Sequence, residues 1–285
     1  MTEIRFSKYE ATGNDFLLVE EGPSALELEP DQARALCDRW SGVGADGVIV
    51  VRGSPDRPAL DLTNADGTAA AVSGNGLRCL AAFVVDRGGT EEAFDVATPA
   101  GARRVTVERA DDGRVRAATV SMGPPNFTKA AIPMRGPAWE TFLQQPFDLG
   151  GGLVLTASAL SMGNPHLVLF TDEDPERYHV EHLGPALEHH ELFPERTNVE
   201  FARVNGEHAA VDVRVWERGV GETLACGTGA CAVVVAANEA GMVSHEATVR
   251  FRGGELAVRR RAGEVELGGA VQHVFDGVVE IDRLQ

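Results

Sequence analysis

With 285 residues, 44% of them hydrophobic, the chain can build two modest cores or one large one with no help from metals or disulfides. A formal charge of -17 argues against nucleic acid and anionic membrane surfaces, which both demand basic patches, and suits a small zwitterionic or cationic ligand. Four cysteines (Cys37, Cys79, Cys226, Cys231) are too few for a disulfide scaffold and lack zinc spacing, so reduced thiols in a cytoplasm are expected.

The N-terminus lacks the basic and apolar blocks of a leader, and no apolar run reaches the length of a membrane span. Ile4 to Tyr9 and Phe16 to Val19 read as strands around a polar turn, Ala11 to Asp15, in which Asn14 is a candidate site residue or an ordinary turn asparagine. Pro30 to Trp40 has a helical pattern with Cys37 on its apolar side, and Ser41 to Gly47 turns into the strand Val48 to Val51. Lysine occurs only at Lys8 and Lys129, which makes a lysine-linked pyridoxal cofactor a poor expectation.

Asn64-Ala65-Asp66-Gly67 is a second polar turn, followed by Ser73-Gly74-Asn75-Gly76 and a run to Val85 that is apolar on nearly every face. Such a helix belongs in the middle of a domain. Residues from Phe94 to Met122 alternate as antiparallel strands with a turn at Asp112-Gly113, and Gly123-Pro124-Pro125 marks a domain boundary. Trp139 to Gln145 reads as a short surface helix. Ser161-Met162-Gly163-Asn164-Pro165-His166 follows a strand, and His166 is either a proton-relay partner or a polar turn residue. Glu188-His189-His190-Glu191 lacks the spacing that puts two histidines on one helical face, and reads as a solvated helix end. Arg196 to Glu200 leads into a strand, and Val211 to Trp216 alternates up to Glu217.

The most informative stretch runs from Glu217 and Arg218 through Cys226-Gly227-Thr228-Gly229 into the apolar run Ala232 to Ala237. It reads as a strand-to-helix turn with Cys226 at the helix start, where unpaired N–H groups favour negative charge and are expected to lower the thiol's pKa. After Gly241 the chain reads as strands and tight turns. Ser73-Gly74-Asn75-Gly76 aligns with Cys226-Gly227-Thr228-Gly229, and Gly13-Asn14 with Gly163-Asn164, at an offset of roughly 150 residues. The pattern predicts a duplicated domain, residues 1–124 with 275–285 and residues 125–274, and two helix N-termini facing one cleft. The fold class expected is α/β (α+β), each domain an open barrel-like sheet around a central buried helix.

Taken together, Gly13 to Phe16, Gly42 to Gly47, Asn64 to Gly67, Ser73 to Gly76, Gly163 to His166, Thr197 to Glu200 and Glu217 to Gly229 resemble diaminopimelate epimerase, in order and over nearly the whole chain. The resemblance implies a homodimeric, cofactor-independent isomerase that interconverts LL- and meso-diaminopimelate for lysine and cell-wall synthesis, with no metal. It implies Cys226 as one catalytic group and Glu217 and His166 as groups that set protonation. It also implies helix-start amides of Gly74, Asn75, Gly227 and Thr228 around the reacting carboxylate. Asn14, Asn64, Asn164, Asn198 and Arg218 would contact the rest of the substrate. Ser73 stands where that family has its second catalytic cysteine, and an alcohol is a far weaker acid than a thiol. The alternatives are an epimerase carrying a substituted serine, a Ser/Cys relative of the proline racemase group acting on hydroxyprolines, and a silent amino-acid-binding protein.

Overall fold

A computed structural model describes residues 3–20, 27–70, 72–150, 152–205 and 210–284. The chain divides into two compact units, Met1–Ser121 with Gly268–Gln285, and Met122–Leu267.

The first unit begins with β1 (Glu3–Ala11) and β2 (Asn14–Glu20), an antiparallel hairpin. Its turn needs left-handed backbone at both Thr12 (φ 57°) and Gly13 (φ 77°). Helix α1 (Pro30–Cys37) crosses to β3 (Gly47–Ser54), which pairs parallel to β2, and β4 (Arg57–Asn64) and the short β5 (Ala69–Ala70) follow antiparallel. The helix stops before the expected Trp40. The Asp38 side chain accepts N–H bonds from Trp40 and Ser41, closing an Asx turn that leaves Trp40 fully exposed. Helix α2 (Gly74–Asp86) is buried from Gly74 to Val85, as its apolar composition predicts. It packs against β1, β2, β3 and β4 and against β7 (Arg103–Arg109), which lies between β6 (Ala93–Val96) and β8 (Val115–Gly123).

The second unit repeats this order. β9 (Phe142–Asp148) pairs with β10 (Val154–Ser161), which forms a hairpin with β11 (Pro165–Phe170). Helix α3 (Val180–Glu188) crosses to β12 (Asn198–Asn205), parallel to β11, and β13 (Ala210–Glu217) and β14 (Gly221–Thr223) follow antiparallel. Helix α4 (Gly227–Glu239) is buried from Gly229 to Ala237 and packs on β10 to β13, on β15 (Glu246–Phe251) and on β16 (Gly254–Arg261). β17 (Glu264–Ala270) carries the chain back into the first unit, where β18 (Gln272–Glu280) pairs antiparallel with β1.

Hairpin, crossover helix, parallel strand, hairpin and central helix therefore occur twice in the same sequence. A duplicated domain accounts for this, because independent folding histories would not reproduce the order of parallel and antiparallel pairings. Each central helix lacks a polar face, so a curled sheet has to cover all its sides.

Trp139 to Gln145 is not a helix: the chain enters β9 at Phe142 and Trp139 is exposed. Pro146 accounts for the difference, since proline disrupts a helix interior but fits the edge of a sheet, where β9 lies. Among the described residues no helix is long and apolar enough to cross a membrane.

Candidate active site

Ser73 is the N-cap of α2, with extended backbone (φ -138°, ψ 124°), and its Oγ accepts the Gly76 N–H at 3.1 Å. The next residues, Gly74 and Asn75, are buried at the start of the helix. Beside this cap, Asn14 Nδ2 donates to Asp46 at 2.6 Å and its Oδ1 accepts from Asn75 Nδ2 at 3.3 Å. The fully buried Arg78 donates to Asn75 Oδ1 at 2.8 Å and to Thr12 Oγ1 at 2.9 Å. Arg78 thus ties the left-handed Thr12 to the first turn of α2, and the sequence reading missed it. The signal was available, since one charge inside an all-apolar helix has to find partners. Among the described residues the Asn64 side chain bonds only locally, to Thr68 Oγ1 at 3.1 Å, and it is partly exposed. Lys8 is paired with Asp15 at 2.7 Å and the Gly44 carbonyl at 2.6 Å.

Cys226 holds the equivalent place in the second unit, as the N-cap of α4 (φ -130°, ψ 117°), with 5% of its surface exposed. Its Sγ lies 3.5 Å from Thr228 Oγ1, and unlike Ser73 it makes no side-chain cap bond to its helix, although the Gly229 N–H lies near the sulfur. The helix start does not lower its pKa, contrary to the sequence expectation. Burial pushes the thiol well above its ordinary value, and the nearby Glu217 and Glu200 carboxylates add to the rise. The hydroxyl of Thr228 and the Gly229 N–H act the other way and are outweighed. Glu217 is pushed up in turn by burial, against the opposing bonds from Thr223 Oγ1, at 2.5 Å, and from the Cys226 thiol. Cys226 at rest is therefore a thiol beside a carboxyl group able to share its proton.

His166 and Glu200 are both fully buried, with Nδ1 and Oε1 2.7 Å apart. His166 Nε2 lies 3.0 Å from Asn164 Oδ1, and Asn164 Nδ2 donates to Thr228 at 3.3 Å. His166 is thus a member of the cluster rather than an isolated turn residue. Asn198, 3% exposed, spends its amide on backbone: Oδ1 accepts the Arg218 N–H at 2.8 Å and Nδ2 donates to the Pro165 carbonyl at 2.8 Å. The Arg218 side chain is exposed, and its guanidinium donates to the Glu195 carbonyl at 3.3 Å. Gly227 and Thr228 are partly exposed at the mouth of α4.

Glu188 is not the solvated helix end expected from its sequence. It is 4% exposed and accepts from Trp216 Nε1 at 2.7 Å and from the Gly219 N–H at 2.9 Å. One carboxylate therefore brackets the turn that carries Glu217 and Arg218. The neighbouring histidines disguised it in the sequence, because its partners lie far along the chain.

Comparison with known proteins adds a family to this geometry. A family model described as diaminopimelate epimerase matches residues 6–128 and 158–273. A diaminopimelate epimerase from Synechocystis sp. is 42% identical over 98% of this chain and 99% of its own length. One from Leptospira biflexa is 37% identical over 98% and 100%. Among solved structures, a predicted epimerase from Pseudomonas aeruginosa superposes with a TM-score of 0.70 at 18% identity, covering 97% of this chain and 99% of that one. A hydroxyproline epimerase from Agrobacterium vitis gives 0.67 at 16%, covering 98% and 91%. At those identities the two structures share the fold.

Proposed function

The chain belongs to the diaminopimelate epimerase family, and on that premise we propose how its residues divide the work of inverting an α-carbon. The reaction interconverts LL- and meso-diaminopimelate. Two groups must act on one carbon from opposite faces, one removing the α-proton and the other returning one.

Cys226 is the group on one face. Sγ reacts as the thiolate: its proton leaves through Glu217 to solvent, and Sγ then takes the α-proton. The helix-start amides of Gly74 and Asn75 in one unit, and of Gly227 and Thr228 in the other, are assigned to the reacting carboxylate and to the charge of the carbanion. Asn14 and Asn164 lie beside these amides, Asn64 and Asn198 complete the polar surround, and Arg218 meets the far carboxylate in a charge-assisted bond.

Ser73 is the group on the other face, and its chemistry limits the cycle. A thiol ionises near 8.5 and an alcohol far higher, near the value for water, so forming the alkoxide costs on the order of 10 kcal/mol more. A helix N-terminus returns about 2 kcal/mol at best. The observation that carries this reading is the equivalence of the two caps: Ser73 and Cys226 sit in the same position on α2 and α4, and only one is an acid of useful strength. The chain as it stands should exchange the α-proton at the Cys226 face and invert slowly.

The test is deuterium uptake from heavy water into LL- and meso-diaminopimelate, run beside Ser73→Cys. Exchange confined to one diastereomer, with inversion gained in Ser73→Cys, supports the assignment. Rapid inversion by the unaltered chain overturns the role given to Ser73. Absence of exchange in both points to another amino acid or to a binding protein.

The enzyme is assigned to the cytoplasm, where its four buried cysteines remain reduced. A homodimer is assigned as well, supported by β18, which forms a sheet edge with Val274, Phe275 and Val278 exposed. Sedimentation at micromolar concentration checks it.

A further inference from the structure

We propose that Glu200 is a positioning residue of this site: its buried carboxylate fixes the tautomer of His166 and, through Asn164 and Thr228, orients the hydroxyl that meets the Cys226 sulfur. The proposal rests on the reading of Cys226 as the reacting group.

Four contacts make one continuous path inside the second unit. Glu200 Oε1 faces His166 Nδ1 at 2.7 Å, and His166 Nε2 faces Asn164 Oδ1 at 3.0 Å. Asn164 Nδ2 reaches Thr228 Oγ1 at 3.3 Å, and Thr228 Oγ1 lies 3.5 Å from Cys226 Sγ. Glu200 and His166 have no exposed side-chain surface, and among the described residues Glu200 Oε2 has no hydrogen-bond partner. A residue kept for stability alone would be better served by an apolar side chain of similar size, because the orphan oxygen costs free energy.

The first turn of α4 makes room for this carboxylate. A Cβ on Gly229 would sit 2.8 Å from Glu200 Oε1 and 3.2 Å from Cys226 Cβ, so the glycine lets Glu200 and the thiol share one corner of the helix.

A carboxylate can only accept, so Nδ1 carries the proton that faces Glu200. The rest of the path then has two consistent polarities. In one, Nε2 accepts from the Asn164 amide turned over, the Asn164 oxygen accepts from Thr228, and Thr228 accepts from the Cys226 S–H. In the other, Nε2–H donates to Asn164 Oδ1, Asn164 donates to Thr228, and Thr228 donates to sulfur as thiolate. The second polarity has one proton more on His166 and one fewer on Cys226. The ionisable groups that act on the sulfur are Glu217 from β13 and Glu200 from β12, and His166 from β11 acts on Glu217. The charge of Glu200 adds to that of Glu217 in favouring the thiol form.

The test is heteronuclear NMR on the full chain. Long-range proton–nitrogen correlations, assigned with His166→Gln, report the tautomer, and the Cys226 Cβ shift reports thiol ionisation. The unaltered chain is expected to show His166 with its proton on Nδ1. In Glu200→Gln the amide oxygen still accepts that proton, so the tautomer stays, while loss of the charge gives roughly tenfold more Cys226 thiolate at a given pH. In Glu200→Leu the acceptor is gone and the proton moves to Nε2. A proton on Nε2 in the unaltered chain overturns the proposal without need of any variant. So does an unchanged Cys226 titration in a folded Glu200→Gln protein. Neither readout needs diaminopimelate turnover, so failure of the epimerase assay and failure of this proposal are separate results.

Discussion

A hydroxyl and a thiol in matching cap positions differ little in shape and greatly in acidity, and most of this protein's chemistry follows from that difference. Ser73→Cys is expected to raise the rate of inversion at least a thousandfold, since even 4 kcal/mol of the alkoxide penalty corresponds to that factor. Optical rotation during conversion of the LL isomer measures it, and a gain under tenfold would mean that Ser73 does not limit the reaction. At Cys226 the sign of the pH dependence is fixed by the direction of its shift. The folded thiol ionises above its ordinary value, so the thiolate fraction at pH 7 lies below that of free cysteine. Exchange at this face should therefore climb by about tenfold per pH unit through pH 8 and 9, levelling only where the thiol itself titrates. A plateau beginning below pH 8 would contradict it.

At the scale of elements, the central helices were legible and their supports were not. Ser73 and Cys226 precede helices with no polar face, and both properties are local, so α2 and α4 could be read directly. Trp139 to Gln145 misled because the strand is set by a distant partner, β10, and the one local signal against a helix, Pro146, lies just past the segment. Glu188, Glu200 and Arg78 were passed over because each is defined by contacts across the chain, although Arg78 and Glu200 sit inside strongly apolar elements and so advertise a buried charge. The two cap glycines give a paired prediction. Gly229→Ala drives a Cβ to 2.8 Å from Glu200 Oε1, whereas the approaches at Gly76 are 3.2 Å to Ile49 and 3.3 Å to Ser73 Cβ. Overpacking of this kind costs about 1 to 3 kcal/mol. Gly229→Ala should therefore lower the melting temperature more than Gly76→Ala and also perturb exchange at Cys226. Thermal melts of the two variants, equal within error, would remove Glu200 as the cause.

For the whole molecule, stability should be bounded by acid on one side and alkali on the other, with a named group at each edge. Asp15 has a carboxyl held down to about 2: burial alone would raise it, but Arg39 and Lys8 outweigh burial. A depressed carboxylate contributes stability that is complete above its unfolded value, about 4, and lost as pH falls toward 2. The shift corresponds to about 2 kcal/mol. At the other edge Cys37 is pushed up to about 12, chiefly by burial and then by Asp46 and Asp15. Its unfolded form ionises near 9, so the unfolded chain loses that proton first and stability falls as pH rises from there toward 12. The net charge of -17 adds general repulsion in alkali, which salt would screen, whereas the buried thiol's contribution would persist in salt. Urea melts at pH 3, 7 and 10 in high salt separate these terms. Asp15→Asn should be less stable than the unaltered chain at pH 7 and converge with it toward pH 2, while Cys37→Ala should flatten the alkaline limb. Parallel curves for Asp15→Asn and the unaltered chain across the acid range would show that the Lys8, Asp15 and Arg39 cluster does not set that edge.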